Sequence, residues 1–179
     1  TREFNMSGLI HIYCGDGKGK TTAALGLSLR AAGRGMHVCI VQFLKSTETG
    51  ELNILRQIPN VQVIRSQEQL GFTFRMNEEQ KRHAAMVQQE LFAKASATAL
   101  SGSCDLLILD EIMAAINSGM VEAEQVKQLL CGKPEELEVV LTGRNPPEEL
   151  IELADYVSQI QKVKHPFDRG IAARDGIER

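Results

Sequence analysis

Residues 9–22 read Leu9-Ile10-His11-Ile12-Tyr13-Cys14-Gly15-Asp16-Gly17-Lys18-Gly19-Lys20-Thr21-Thr22. The first six form an apolar run of strand length. Three glycines alternate through the next five positions. From Thr21 to Arg34 the chain is rich in Ala and Leu, which predicts a helix ended by Gly33 and Gly35. A glycine-rich turn between a strand and a helix lets successive backbone N–H groups point inward around phosphate oxygens. The helix N-terminus adds positive potential to the same place. Lys20 is placed to reach phosphate oxygens and Thr21 to set a hydroxyl on Mg²⁺. The spacing departs from the usual GxxxxGK[ST], because Cys14 stands where its first glycine would be. A merely flexible surface loop would need neither the strand before it nor the helix after it. The whole loop, Gly15, Asp16, Gly17, Lys18, Gly19, Lys20, Thr21 and Thr22, is therefore read as a cradle for nucleotide phosphates, those of ATP.

Working outward, short apolar runs alternate with helical patterns. His37–Leu44 predicts a second strand, Gln57–Asn60 a turn and Val61–Arg65 a third strand. Asn77 is a candidate N-cap with Gln80 at the third helical position. The helix behind it runs to about Leu100, with Ala84, Val87, Leu91 and Ala95 on one face. Leu106–Leu109 is an apolar strand ending in Asp110-Glu111. A helix near Glu122–Leu130, a strand at Glu138–Leu141, a helix opened by Pro146 and Pro147, and a last strand over Tyr156–Val163 complete the pattern. Such alternation predicts an α/β chain with a mostly parallel sheet and helices on both faces. With the phosphate loop it is P-loop NTPase-like, of the RecA-like kind. No repeat or linker interrupts residues 1–179, so one domain is expected, with 1–7 and about 168–179 peripheral.

The bulk properties restrict the alternatives. At 179 residues the chain needs no disulfide or metal to bury a core. A net charge of −3 argues against broad nucleic-acid binding. No apolar run approaches the length needed to span a bilayer, so a cytoplasmic protein without membrane contact is expected. Cys14, Cys39, Cys104 and Cys131 lie far apart with no CxxC pair, and buried reduced thiols are the expectation.

Ligands of parallel sheets sit at the carboxyl ends of the strands. The phosphate loop, Lys45, Asp110-Glu111 and Thr142-Gly143-Arg144 all fall there. Asp110 and Glu111 are placed to hold Mg²⁺ with Thr21, directly or through water. Gly71-Phe72-Thr73-Phe74 puts two of only six Phe residues in a loop flanked by polar residues. That pattern reads equally as a satellite core or as aromatics presented to a large planar ligand. The tail from Gly170 to Arg179 has no periodicity and reads either as a cover over a ligand or as a frayed terminus.

In order along the chain, Gly15–Ala24, Val41-Gln42-Phe43-Leu44-Lys45, Gly50-Glu51-Leu52, Gly71-Phe72-Thr73-Phe74, Leu109-Asp110-Glu111-Ile112, Leu141-Thr142-Gly143-Arg144, Val163-Lys164-His165-Pro166-Phe167 and Gly176-Ile177-Glu178 resemble the ATP:corrinoid adenosyltransferases of the CobA/CobO/BtuR type. The resemblance implies transfer of the 5′-deoxyadenosyl group of ATP to Co(I) of a corrinoid, with tripolyphosphate leaving, in adenosylcobalamin biosynthesis or salvage. It implies Lys20, Thr21 and Glu111 as catalytic residues and Phe72 and Phe74 at the lower face of the corrinoid. It also implies a flavoprotein or ferredoxin as reductant and a homodimer. Phe74 departs from the commoner Trp, and Ala172-Ala173-Arg174 from a commoner Lys-Ala-Gln-like run. Two other readings compete: a P-loop ATPase or kinase acting on the γ-phosphate, and a non-catalytic, nucleotide-dependent corrinoid-binding module.

Overall fold

A computed structural model describes residues 7–45, 47–66, 68 and 76–178. The apolar runs form six strands: β1 (Ile10–Cys14), β2 (Val38–Gln42), β3 (Val61–Arg65), β4 (Leu106–Asp110), β5 (Glu138–Thr142) and β6 (Tyr156–Gln159). They make one sheet in the order β3-β2-β4-β5-β1-β6, and every pairing is parallel. β2 and β4 are buried at every position, which explains why their sequences are apolar without alternation up to the polar Gln42 and Asp110 at their ends.

Among the described residues six α-helices connect the strands: α1 (Lys20–Gly33), α2 (Gly50–Leu55), α3 (Glu78–Leu100), α4 (Ile112–Asn117), α5 (Ala123–Gly132) and α6 (Glu148–Ile151). They cover both faces, as the alternation predicts. Ala24 and Ala31 of α1 and Leu55 of α2 pack with Val38, Ile40, Leu106 and Ile108 on one face. Leu91, Phe92 and Ala95 of α3, with residues from α4, α5 and α6, pack on the other against Val41, Leu107 and Leu109. The stripe Ala84, Val87, Leu91 and Ala95 is buried along α3. Asn77 closes a capping box with Gln80: each side chain accepts from the other's backbone N–H, at 2.8 and 2.9 Å.

The differences from the sequence expectation are local. β2 stops at Gln42, because Leu44 takes a left-handed φ of 53° and turns the chain out of the sheet. β6 stops at Gln159, where Ile160 turns to bond the phosphate loop. The proline pair opens α6 only at Glu148, with Pro147 as N-cap. α2 and α4 are six residues each, too short to stand alone, and are held by packing. Cys14, Cys39 and Cys104 are buried and free, as expected; Cys131 is free but exposed, because it falls on the outer side of α5. Among the described residues no helix is long and apolar enough to cross a membrane.

The candidate nucleotide site

The strand register brings the carboxyl ends level. Gln42 pairs with Asp110, Leu109 with Leu141, Tyr13 with Thr142, and Cys14 with Gln159. β5 lies between β1 and β4, and beyond its end Thr21, at the start of α1, meets the acid of β4 directly. The four polar clusters that the sequence puts at strand ends thus meet on one rim.

The loop is held open by its backbone. Gly15 has φ 105°, and an added Cβ there would lie 2.2 Å from the Ile160 carbonyl oxygen. The Gly17 N–H donates to that same carbonyl at 2.8 Å, while Ile160 N–H donates to Cys14 at 2.8 Å. The Asp16 carboxylate accepts from Lys162 N–H at 2.9 Å, which lowers its pKa below the ordinary value. α1 starts with Gly19 as N-cap, with no side-chain cap and no acidic residue in the first turn. Its terminal N–H groups are therefore not spent on a side chain of the helix itself. Lys20 is nearly buried, and its ammonium donates to the Gly17 carbonyl at 2.8 Å. Burial lowers its pKa; Glu111 opposes this and Arg144 adds to it.

Asp110 is wholly buried at the end of β4. One carboxylate oxygen accepts from Thr21 Oγ1 at 2.8 Å and Thr142 Oγ1 at 2.7 Å. The other accepts from Lys45 Nζ at 2.6 Å and, more weakly, from Gln42 Nε2 at 3.4 Å. Lys45 Nζ also donates to Thr21 Oγ1 at 3.2 Å. A cation thus lies against the hydroxyl and the carboxylate that the sequence reading assigns to a metal. Glu111 follows in left-handed conformation (φ 62°), its N–H donating to Thr142 Oγ1 at 2.9 Å. That turn swings its side chain away from the core and into the wall of a cavity of about 740 Å³.

This cavity runs from Lys20 and Thr21 along α1 to α2, past Leu25, Leu29 and Ile54. A smaller cavity of about 300 Å³ shares Lys18 and Lys20 with it and extends to Arg144, Phe167 and Arg174. Both volumes lie in the range of small-molecule sites. Phe72 and Phe74 lie outside the described residues. Lys45 was visible from the sequence as a rim residue, but its pairing with Asp110 was not. Its only signal was a lysine directly after an apolar strand.

Residues 6–179 match the family described as ATP:corrinoid adenosyltransferase BtuR/CobO/CobP. A corrinoid adenosyltransferase of Escherichia coli K12 is 37% identical over 173 residues, covering 96% of this chain and 85% of that protein. The corrinoid adenosyltransferase CobA of Salmonella typhimurium LT2 is 36% identical over 174 residues, again with 96% and 85% covered. Among solved structures, the cytoplasmic domain of EssC superposes with a TM-score of 0.52 at 18% identity, covering 93% of this chain and 34% of that one. This last likeness concerns the fold alone, and this chain spans only about a third of that protein's length. The family match and these relatives span nearly the whole chain: the chain belongs to the ATP:corrinoid adenosyltransferase family of transferases.

Proposed function

We propose that the chain transfers the 5′-deoxyadenosyl group of ATP to the cobalt of a reduced corrinoid and releases tripolyphosphate, in adenosylcobalamin biosynthesis or salvage. The observation that carries this reading is the meeting of the phosphate loop and Glu111 on the wall of one cavity, with Asp110 buried directly behind Thr21, in a chain of this family. Co(I) supplies the electron pair for a bond to C5′, and the bond from C5′ to the ester oxygen breaks. No proton moves, so no general base is needed. Negative charge grows on the leaving triphosphate. The loop amides, the uncapped start of α1 and Lys20 face the place where it grows, which is how preorganised donors lower a barrier.

The residues fit Mg²⁺. Thr21 and Asp110 offer hard oxygen donors 2.8 Å apart, and an ammonium already lies against both. Among the described residues no group of three or more His, Cys, Asp or Glu gathers. Mg²⁺ characteristically keeps waters and phosphate oxygens as its other ligands. Thr21 and Asp110 would hold it, with Glu111 acting through water. When bound, it would neutralise triphosphate charge.

The same reading places Phe72 and Phe74 beneath the corrin ring, where they displace the lower ligand so that cobalt accepts an electron more readily. The electron comes from a flavoprotein or ferredoxin. Three buried free thiols suit a reducing cytoplasm. A homodimer is supported by β6, an edge strand exposed at all four positions. The test is anaerobic: chemically reduced corrinoid, ATP and Mg²⁺ are mixed and the Co(I) spectrum followed. A light-sensitive cobalt–carbon product is expected; an unchanged Co(I) spectrum contradicts the proposal. Phe72→Ala should lose far more activity with enzymatically than with chemically reduced corrinoid. Equal losses would remove the ligand-displacement role.

A further inference from the structure

The tail beyond β6 crosses the phosphate loop. Pro166–Arg169 form a 3-10 turn closed by Gly170. Beyond it, Ile171 and Arg174 line the smaller cavity, opposite Gly17, Lys18 and Lys20. Gly176 and Ile177 line the larger one, and Glu178 borders both. The strap therefore passes over the loop between the two cavities. A turn within the strap is closed by Arg174 and Glu178. Arg174 donates to Glu178 through Nη2 at 2.9 Å, Nε at 3.1 Å and its own backbone N–H at 2.9 Å. The Glu178 N–H donates back to the Arg174 carbonyl at 3.0 Å.

The charges around the smaller cavity are unbalanced. Lys18, Lys20, Arg144 and Arg174 stand against the carboxylates of Asp16 and Glu178. The Glu178 carboxyl is held down to about 2 by its bonds from Arg174, with Lys18 of the loop contributing. It is thus a permanent anion beside the phosphate cradle. A triphosphate brings more charge and more acceptor oxygens than one carboxylate, and the planar guanidinium fork suits phosphate as well as carboxylate. Arg174 and Glu178 form an i,i+4 pair whose arginine side chain is exposed and whose carboxylate is partly covered, so the guanidinium is free to turn to another anion.

We propose that Arg174 is a polyphosphate-binding residue of this site: Glu178 holds its guanidinium at the loop, and an incoming triphosphate takes it over, fastening the strap across the bound phosphates. The proposal rests on the phosphate-loop reading above. Its test uses the full chain and inorganic tripolyphosphate as the probe, with binding measured by calorimetry. Arg174→Ala should weaken binding about tenfold. Arg174→Lys should restore only part of it, because an ammonium lacks the fork. Glu178→Gln should do the opposite and tighten binding, since it removes the competing anion while keeping the shape. In the double variant Arg174→Ala/Glu178→Gln that gain should vanish. An effect of opposite sign from the two partners of one salt bridge is not what loss of a merely structural contact gives. If Lys20→Ala abolishes binding while Arg174→Ala and Glu178→Gln bind like the parent chain, the strap proposal fails and the phosphate loop stands. If Lys20→Ala also binds unchanged, both fail.

Discussion

Asp110 shows how much of this site depends on one carboxylate. Thr21, Thr142, Lys45 and Gln42 all donate to it, and it has no contact with solvent. Asp110→Asn keeps the shape and removes the charge. It leaves Lys45 without its ion partner and forces one amide N–H among groups arranged to donate. Unfolding in urea should show a loss of about 2–4 kcal/mol, with turnover at background. A variant of parent stability would mean that the pair is not a structural contact. Lys20 acts differently, since its ammonium touches only a loop carbonyl. Lys20→Ala should leave the unfolding midpoint near that of the parent and lower turnover by about 10²–10³-fold, the usual effect of removing one preorganised donor. The phosphate-loop residues were legible from the sequence because they are consecutive, and their chemistry is local. Thr21 was legible as a neighbour of Asp110; its other partners were not. Thr142 and Lys45 reach it only because β2 and β5 flank β4, and no periodicity encodes that order.

At the scale of elements, two devices set the rim. The first is the β1–α1 turn, where Gly15 has φ 105° and no room for a side chain against Ile160. Gly15→Ala should break the pairing of the loop with Ile160 and abolish tripolyphosphate binding, read by calorimetry. Binding at parent affinity would show that the loop tolerates rearrangement. The second is the base of the sheet. Glu138 at the start of β5 accepts from His11 of β1 and from Leu9 N–H. Burial raises its pKa, but these bonds, with the charges of His11 and Lys133, more than offset that and leave it below the ordinary 4.5. A carboxyl with a lowered folded-state pKa stabilises the fold above 4.5, and that stabilisation is lost as pH falls through the lowered value. The thermal midpoint should therefore drop on acidification below 4.5, and Glu138→Gln should flatten that limb. The long elements were legible because α3 and the central strands carry unbroken apolar patterns. The six-residue α2 and α4 were not, because their helicity comes from what they pack on rather than from their own periodicity.

For the whole molecule, the sheet order makes one rim into the only place where loop, acids and cavities coincide among the described residues, and it leaves β6 bare at the opposite lateral edge from β3. Tyr156 and Val157 are about half exposed there. The proposed homodimer should appear in sedimentation as twice the chain mass, and Val157→Lys should shift it toward monomer. A parent chain that sediments as a monomer at all concentrations would contradict it.

The measurement that decides the central claim is the identity of the phosphate product after reaction of chemically reduced corrinoid with ATP and Mg²⁺. With the loop, Lys20 and Asp110 acting on a leaving group, tripolyphosphate should be released in step with cobalt–carbon bond formation. ADP and orthophosphate, with the corrinoid unchanged, would contradict it and make the site that of an ordinary P-loop phosphohydrolase.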